Sequence, residues 1–394
     1  MDKRLIKPVT QYIASVLNSK SMPQTGAMTD STASGEVSIR SLEERLRNKT
    51  EWQPAAVYGD SLTLVKRIRR ETKEFNRNNV TRTRAYLDFY SRNPDLHWAF
   101  LAHMVSRNGG WNMTDLKGSL LKGVIGEKTR ESYFSFLEAA NYLIFNDAYP
   151  QLRLYEESRK SGNSFSELLQ VFSVSSFMKP VWDIFSETGD RAFLTAGLII
   201  NEQHYIQKRI VENPGFIQSV FSGWQFQVQE MFQLTSVIFP RRKRKRVPLS
   251  GIKVSSFTEP GSRIKTGLSL YSLLFGNRKR RLETEIFAKG TPHTGSREDY
   301  WPHMFSGSSK AAAGRGWHSC TRVEKPPFLY SPSLEQAWAD SIHGTPSRDD
   351  WYAGQEIIEF FRYPVKTETP ELSKEYCLDL HTMWLFQKAK NHLQ

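Results

Sequence analysis

The sequence has few cysteines, no long hydrophobic run and fewer acidic than basic residues. Cys320 and Cys377 are its two cysteines among 394 residues, and neither has a second thiol two or three positions away. Local spacing therefore shows neither a zinc knuckle nor a redox pair, and we expect a reducing compartment. The best apolar stretch, residues 193–200, is far shorter than the roughly 18 residues that span a bilayer. A signal peptide is also not expected, because polar residues and Pro8 interrupt the N-terminus.

Several catalytic motifs are missing as well. The chain contains no phosphate-binding glycine loop, no nucleophile elbow and no HExxH pair. His293 and His303 lie ten positions apart, which matches no typical zinc spacing. We therefore predict no metal and no cofactor, and the sequence alone neither supports nor excludes an enzyme.

The residues that are present predict a mainly α protein. Large apolar side chains are abundant, with 24 Phe, 15 Tyr and 10 Trp, and their spacing is mainly helical between residues 38 and 240. We predict a multi-helix, bundle-like globular body with a loop-rich, aromatic C-terminal part. The predicted regions are a mobile N-terminal leader (1–37), a helical body (38–240), a basic connecting segment with a short helix (241–281) and a loop-rich part packed on the body (282–394). Two short helices, near 334–342 and 351–361, are expected to close the chain.

Positive charge is concentrated in one segment. The net charge is +13, and residues 241–281 contain thirteen Lys and Arg against Glu259 alone, an excess of twelve. The rest of the chain is nearly neutral, with 41 Lys and Arg against 40 Asp and Glu. The predicted polyanion-binding residues are Arg241, Arg242, Lys243, Arg244, Lys245, Arg246, Arg278, Lys279, Arg280 and Arg281.

Three interpretations of this segment remain open. Pro240 and Pro248 enclose residues 241–246, which disfavours a helix and favours a solvated, extended linker. The apolar residues from Ile264 to Phe275 predict a helix of about three turns that ends at Gly276. The segment is thus a surface loop with a core helix, a site for nucleic-acid phosphates, or a site for anionic lipid with the helix lying in the interface.

A second concentration of polar residues follows Pro94. The helix from Leu96 to Val105 is apolar nearly all round, which predicts burial, and Gly109 is expected to end it. His103 and Arg107 share a face of this helix and need partners inside the protein. The alternatives are a buried helix hairpin, a functional pocket that uses His103, Arg107, Asn108 and Asp115, or a DNA-reading helix-turn-helix.

A third polar stretch covers residues 291–303. His293, Arg297, Asp299 and His303 lie there beside Tyr300 and Trp301. Such residues can position an anion or a sugar, or supply a general acid and base, but a surface loop anchored by its aromatic side chains explains them equally. A shorter candidate, residues 201–204, places Glu202 and His204 on different faces of a helix.

Parts of the chain resemble a known family. The stretches 79–83 and 103–116, with the later 293–297 and 299–302, resemble the uncharacterised YppC-like family of bacilli and their relatives. The resemblance covers about residues 78–361. It implies a bacterial cytoplasmic protein with a domain of unknown function, and it supplies no catalytic residues.

Two functional hypotheses follow. The first is a helical binding or scaffold protein whose basic segment contacts a polyanion, either nucleic acid or an anionic membrane surface. The second is an enzyme of unknown class whose pocket combines residues 103–115 with residues 293–303. The second requires the two polar stretches to converge around a cavity.

Overall fold

The computed structural model describes residues 32–48, 57–122, 124–221, 236–244, 246–254, 258–312, 316–320, 325–347, 349–364 and 371–391. Helices dominate these residues, which confirms the predicted mainly α class. Most of the predicted leader lies outside the described residues, and the first described helix begins at Thr32. None of the described helices is both long and apolar enough to cross a bilayer.

The described elements are as follows in chain order. The α-helices are α1 (Thr32–Arg47), α2 (Gly59–Phe75), α3 (Asn79–Arg92), α4 (His97–Asp115), α5 (Ser119–Lys122), α6 (Glu127–Ser161), α7 (Met178–Thr188), α8 (Arg191–Ile206), α9 (Pro214–Phe216), α10 (Pro260–Phe275), α11 (Arg278–Gly290), α12 (Ser309–Ala312), α13 (Leu334–Ala337) and α14 (Ser373–Asn391). Short segments of 3₁₀-helix (Ser166–Phe172, Arg297–Asp299, Gln355–Arg362) and π-helix (Gln207–Val211, Ile217–Phe221) supplement them. The strands are β1 (Ser236–Pro240), β2 (Leu249–Lys253), β3 (Phe305–Ser306) and β4 (Leu329–Tyr330).

Local signals set several helix ends. The Asn78 side chain accepts a hydrogen bond from the backbone N–H of Thr81, and the Thr81 hydroxyl oxygen accepts one from the backbone N–H of Asn78. The two bonds form a capping box for α3. The Asp190 side chain caps α8 by accepting from two backbone N–H groups. Gly162 and Gly189 end α6 and α7 with positive φ angles of 74° and 68°. These four ends therefore follow from residues local to each helix.

The predicted end of a helix at Gly109 is wrong, because α4 continues to Asp115. The following glycine, Gly110, serves close packing instead. A Cβ atom there would lie 2.3 Å from Asn79 Oδ1 and 2.5 Å from His293 Nε2. The helix therefore keeps its course while two other segments approach its backbone. Similarly, α6 runs through Pro150, although proline usually breaks a helix, in a stretch where Ala148, Tyr149 and Leu152 are buried.

Helix α8 lies near the centre of the main core. Leu198, Ile199 and Ile200 are at most 1% exposed, and α8 packs against α4, α6, α7 and α10. Helix α10 confirms the predicted short helix, but Ile264, Leu273 and Leu274 on it are fully buried. The idea that this helix lies in a lipid interface is therefore wrong, because its apolar face belongs to the core.

The basic run between Pro240 and Pro248 is the tip of a β-hairpin rather than an extended linker. Strands β1 and β2 pair antiparallel, with Ser236 opposite Lys253 and Pro240 opposite Leu249. Beyond them, Lys243 and Arg246 exchange two backbone hydrogen bonds of 3.0 and 2.9 Å. The two-residue turn between these partners explains the positive φ of Arg244, 52°.

The C-terminal part differs from its prediction at its end. Instead of closing with two short helices, the chain continues into α14, a helix of 19 residues. Helix α14 carries the buried residues Tyr376 and Leu380, which join a second core cluster with Trp111, Tyr300 and Trp301. This cluster joins the C-terminal part to the ends of α4 and α6.

Cys320 and Cys377 form a disulfide, so the picture of two unrelated thiols is wrong. The cysteines are 57 positions apart, beyond the reach of any local spacing rule. The bond attaches α14 to the loop that precedes β4. Disulfides are typical of oxidising compartments, which is at odds with the reducing compartment that the isolated cysteines suggest.

Two leucines on adjacent helices test which apolar surface is core. We expect Leu273→Ala in α10 to lower the free energy of unfolding by about 2 to 5 kcal/mol, because Leu273 is fully buried. Leu282→Ala in α11 is the matched control and should change it by less than about 0.5 kcal/mol, because Leu282 is 42% exposed. Urea unfolding of both variants measures this, and equal losses would contradict the assignment.

Candidate functional site

The buried face of α4 carries the first polar group. His103 Nδ1 lies 2.8 Å from the carbonyl oxygen of Thr83, and Arg107 Nε donates to His103 Nε2 over 3.1 Å. Both side chains are about 1% exposed. Burial lowers the pKa of His103 well below its ordinary value, and the adjacent Arg107 cation acts in the same direction. His103 is therefore neutral at pH 7 and accepts the bond from Arg107.

Arg107 also binds the end of another helix. Its Nη2 donates to the carbonyl oxygens of Ala288 and Thr291, in the last turn of α11 and just beyond it. A helix C-terminus has unpaired carbonyls and a partial negative charge, which a cation satisfies. Burial lowers the pKa of Arg107 to about 10, so the side chain is still a cation at pH 7. Arg107 therefore fixes α11 to α4.

The C-terminal end of α4 joins the second polar stretch through a buried ion pair. Arg297 Nε lies 2.8 Å from both carboxylate oxygens of Asp115, and Arg297 Nη2 also donates to Asp115. Arg297 Nη1 donates to the hydroxyls of Tyr300 and Tyr376, which lie 2.7 Å from each other. Although burial alone would lower it, the Asp115 carboxylate raises the pKa of Arg297 well above its ordinary value.

A second bridge joins the same stretches through His293 and Asp299. The ring nitrogens of His293 lie 3.2 Å from Asp299 Oδ2 and 2.9 Å from Asn79 Oδ1. Asp299 also accepts from the indole of Trp111 and from the backbone and hydroxyl of Thr294. Burial would raise the pKa of Asp299, but the bonds from His293 and Thr294 lower it. Burial lowers the pKa of His293.

The other two predicted pocket residues bind backbone groups. Asn108 Oδ1 accepts from the N–H of Ile238, and Asn108 Nδ2 donates to the carbonyl of the same residue, each over 2.8 Å. Asn108 thereby attaches β1 to α4. His303 Nε2 lies 2.7 Å from the carbonyl oxygen of Cys320, in the C-terminal loop.

The two predicted polar stretches therefore lie together, but their side chains bond to one another rather than surround a cavity. Seven of the eight predicted pocket residues are connected through α4, α11, β1 and the 291–299 loop, and His303 lies apart from them. The side chains of His103, Arg107, Arg297 and His293 are at most 3% exposed. Such a network positions segments and specifies the fold, whereas catalysis also needs space for a substrate.

Sequence reasoning missed several members of this network. Asn79, Trp111, Tyr300 and Tyr376 all bond to predicted residues, and Tyr376 comes from a helix that was not predicted. Asn79 and Trp111 lie within stretches that carry the family resemblance. Tyr300 lies beside Arg297 in the third polar stretch. Tyr376 had no comparable signal, because its only link to Arg297 is tertiary.

Buried carboxyl groups near residue 201 form a separate feature. Burial raises the pKa of both Asp147 and Glu202 to about 7. Asp147 accepts from Asn201 and Gln151, over 2.6 and 2.8 Å. Glu202 lines an apolar cleft of about 170 Å³ that contains none of the eight predicted pocket residues. The neighbouring His204 stacks on Trp351 with ring centroids 4.7 Å apart.

The two basic clusters come together on one face of the molecule. The backbone N–H of Arg242 donates to the carbonyl of Glu283 in α11, and Arg241 Nη1 lies 2.9 Å from Glu283 Oε2. The hairpin tip thus lies against the helix that carries residues 278–281. We call the exposed cations of both clusters the basic surface: Arg242, Lys243, Arg244, Arg246, Arg278 and Lys279.

Most of the basic surface is unneutralised. Within the described residues, none of the six side chains of this surface forms an ion pair. Arg242 donates to the Thr291 hydroxyl, and the other five have neither an ion pair nor a side-chain hydrogen bond: Lys243, Arg244, Arg246, Arg278 and Lys279. The remaining predicted cations serve the protein itself. Arg241 pairs with Glu283 and Glu371, Arg280 donates to the carbonyl of Leu273, and Arg281 pairs with Glu285. Lys245 lies outside the described residues.

The described residues thus define a mainly α protein with a closed polar network and an exposed basic surface. The chain belongs to the family described as "Protein of unknown function (DUF2515)", whose model matches residues 74–377. It is similar to "Uncharacterized protein YppC" of Bacillus subtilis (strain 168), with 37% identity over 332 residues, 84% of this chain and 93% of the relative. No solved structure matches the chain. The family prediction is therefore confirmed.

The ion pair at the end of α4 should dominate local stability. Asp115→Ala leaves the Arg297 guanidinium buried without a counter-charge, so we expect a loss of about 3 to 5 kcal/mol in the free energy of unfolding. The control Asp88→Ala removes an exposed pair with Arg84 and should cost less than about 1 kcal/mol. Chemical denaturation measures both, and a small loss for Asp115→Ala would contradict the network.

The protonation of His103 should affect the pH dependence of stability. The unfolded chain takes up a proton at His103 near pH 6.5, whereas the folded chain does so only at lower pH. Stability from this group is therefore present above pH 6.5 and lost as the pH falls through the folded pKa. Unfolding free energies at pH 7 and pH 5 should differ more in the wild type than in His103→Gln. Replacement of the half-buried His318 by Gln is the control, and an equal effect of both variants would refute the assignment.

Proposed function

We propose that the protein binds an anionic membrane surface through its basic surface. The observation that carries this proposal is that two basic clusters, more than thirty positions apart in the sequence, lie side by side with five cations unpaired. Each Lys or Arg near an anionic leaflet contributes about 1 kcal/mol of attraction. Five such side chains on one face supply a useful part of the binding energy.

Exposed apolar residues on α11 favour a membrane over nucleic acid. Leu282 and Ile286 are 42% and 57% exposed, and they lie on the solvent side of α11 between Lys279 and Lys289. Nucleic-acid phosphates would leave these two side chains without a role, whereas the boundary of a bilayer accommodates cations and apolar groups together. In this proposal α11, rather than α10 as the sequence suggested, is the helix that lies at the lipid interface.

The cytoplasmic location stays a prediction and is part of the proposal; in that reducing compartment Cys320 and Cys377 would be thiols rather than the disulfide of this structure. The anionic leaflet of the plasma membrane faces the cytoplasm. Contact of the basic surface with that leaflet requires no membrane-spanning helix, and the described residues contain none. The enzyme hypothesis receives less support, since the residues it invokes are bonded to each other in the interior.

Vesicle binding tests the proposal. Wild-type protein should sediment with phosphatidylcholine vesicles that contain phosphatidylserine, and not with phosphatidylcholine alone. The triple variant Lys243→Ser/Arg244→Ser/Arg246→Ser should lose most of this binding, and Leu282→Ser/Ile286→Ser should weaken it. Lys66→Ser/Arg70→Ser, which alters exposed cations of α2, is the matched control and should bind normally.

Duplex DNA serves as the competing ligand. If nucleic acid is the partner, DNA binding should fall with salt at a slope of roughly −4 to −5 in log units for five phosphate contacts, and Leu282→Ser/Ile286→Ser should not affect it. Absence of vesicle binding at low salt, or full binding by the triple variant, would overturn the membrane proposal.

A further inference from the structure

A second candidate site is a cleft between α2, α6 and the C-terminal part, where a small molecule could bind. It has a volume of about 630 Å³, within the range of known ligand sites. Its walls come from the end of α2, the middle of α6, the 3₁₀-helix 166–172, Tyr205 of α8 and the loop 341–347, which we call the covering loop. None of the described residues that line it is Asp or Glu.

Three cations line one side of the cleft. Arg69 and Lys73 lie four positions apart, a spacing that places them on one face of α2, and Arg77 follows in the turn between α2 and α3. Arg69 is held in place by the carbonyl of Val171, at 2.8 Å, and Arg77 lies 3.2 Å from Asp340. Lys73 forms no ion pair within the described residues. This side of the cleft therefore has an excess of positive charge.

Two tyrosines hold the covering loop over the cleft. The His343 ring stacks on Tyr142, with centroids 4.2 Å apart. The guanidinium of Arg209 lies over the ring of Tyr205 at 4.1 Å and donates to the carbonyl oxygens of Ser347 and Asp349. Because both anchors use rings that line the cleft, the loop forms a defined wall rather than a loose flap.

Backbone strain marks the third wall. Ser173, at the end of the 3₁₀-helix, has a φ angle of +60°, a conformation that non-glycine residues adopt only at a cost. Strained residues of this kind persist where surrounding structure holds them, and they cluster at ligand sites. Ser173 lines the cleft two positions after Val171, whose carbonyl holds Arg69, and amide and hydroxyl groups of Asn146, Ser341 and Thr345 line it as well.

We propose that this cleft binds a phosphorylated small molecule of the size of a sugar phosphate or a nucleotide. Arg69, Lys73 and Arg77 receive the phosphate, because charge-assisted bonds from Arg and Lys are the strongest that a phosphate can accept. The amide and hydroxyl groups of the other walls bond to the hydroxyls of the organic part. The site is independent of the basic surface, which lies on α11 and the hairpin.

Calorimetric titration with defined probes tests this inference. AMP and glucose 6-phosphate should bind, and adenosine and glucose should not. Lys73→Ala/Arg77→Ala should weaken binding of the phosphorylated probes by about tenfold or more, since each change removes a charge-assisted contact. Arg70→Ala, an exposed cation on the same helix that does not line the cleft, is the matched control and should leave the affinity unchanged.

A further variant separates a ligand inside the cleft from one attracted to surface charge. Thr345→Trp fills the cleft and keeps every cation, so it should abolish binding. The triple variant of the basic surface should bind the probes normally, which distinguishes this site from the proposed membrane surface. The inference is overturned if no phosphorylated probe binds at millimolar concentration, if Arg70→Ala weakens binding as much as the double variant, or if Thr345→Trp binds normally. If inorganic phosphate binds as tightly as AMP, the organic part adds nothing to binding, and the proposal of an organic phosphate is overturned.

Discussion

The burial of charged and polar side chains on the second half of α4 is the constraint on which the rest of this structure depends. A buried cation or carboxylate is costly unless it is paired, so each one fixes the position of its partner. Arg107 binds the end of α11, Asn108 binds β1, and Asp115 binds Arg297 in the following loop. One helix thereby determines where three distant parts of the chain lie.

This arrangement connects the two hypotheses that the sequence left separate. The polar residues of α4 read as a possible pocket, and the cations of residues 241–281 read as a possible binding segment. In the structure, Arg107 and Asn108 hold the two elements that carry the basic surface, α11 and the hairpin. The polar network thus serves as the support of an exposed surface, which is a physical reason for so many buried polar groups in one place.

The class of fold follows from helical spacing, because apolar periodicity and capping residues are local properties. The capping residues Asn78 and Asp190 and the glycines Gly162 and Gly189 end or begin helices through such local rules. The predicted helix end at Gly109 is wrong, because the glycines there allow Asn79 and His293 to pack closely against the helix. Those contacts are tertiary, so no local rule predicts them. The hairpin and α14 escaped prediction for a similar reason: the pairing of β1 with β2, and of Tyr376 with Arg297, exists only in three dimensions.

The bond between Cys320 and Cys377 gives the protein two covalent forms. In the oxidised form, the denatured chain contains a closed loop of about 57 residues, which reduces its conformational freedom and stabilises the folded state. In the reduced form, α14 stays attached to the body through Tyr376, through the ion pairs of Glu375 and Asp379 with Lys253, and through its packing. The thiol–disulfide redox potential of the compartment therefore determines how strongly α14 is attached. It also determines how freely the Tyr376 hydroxyl, which contacts Arg297, can move.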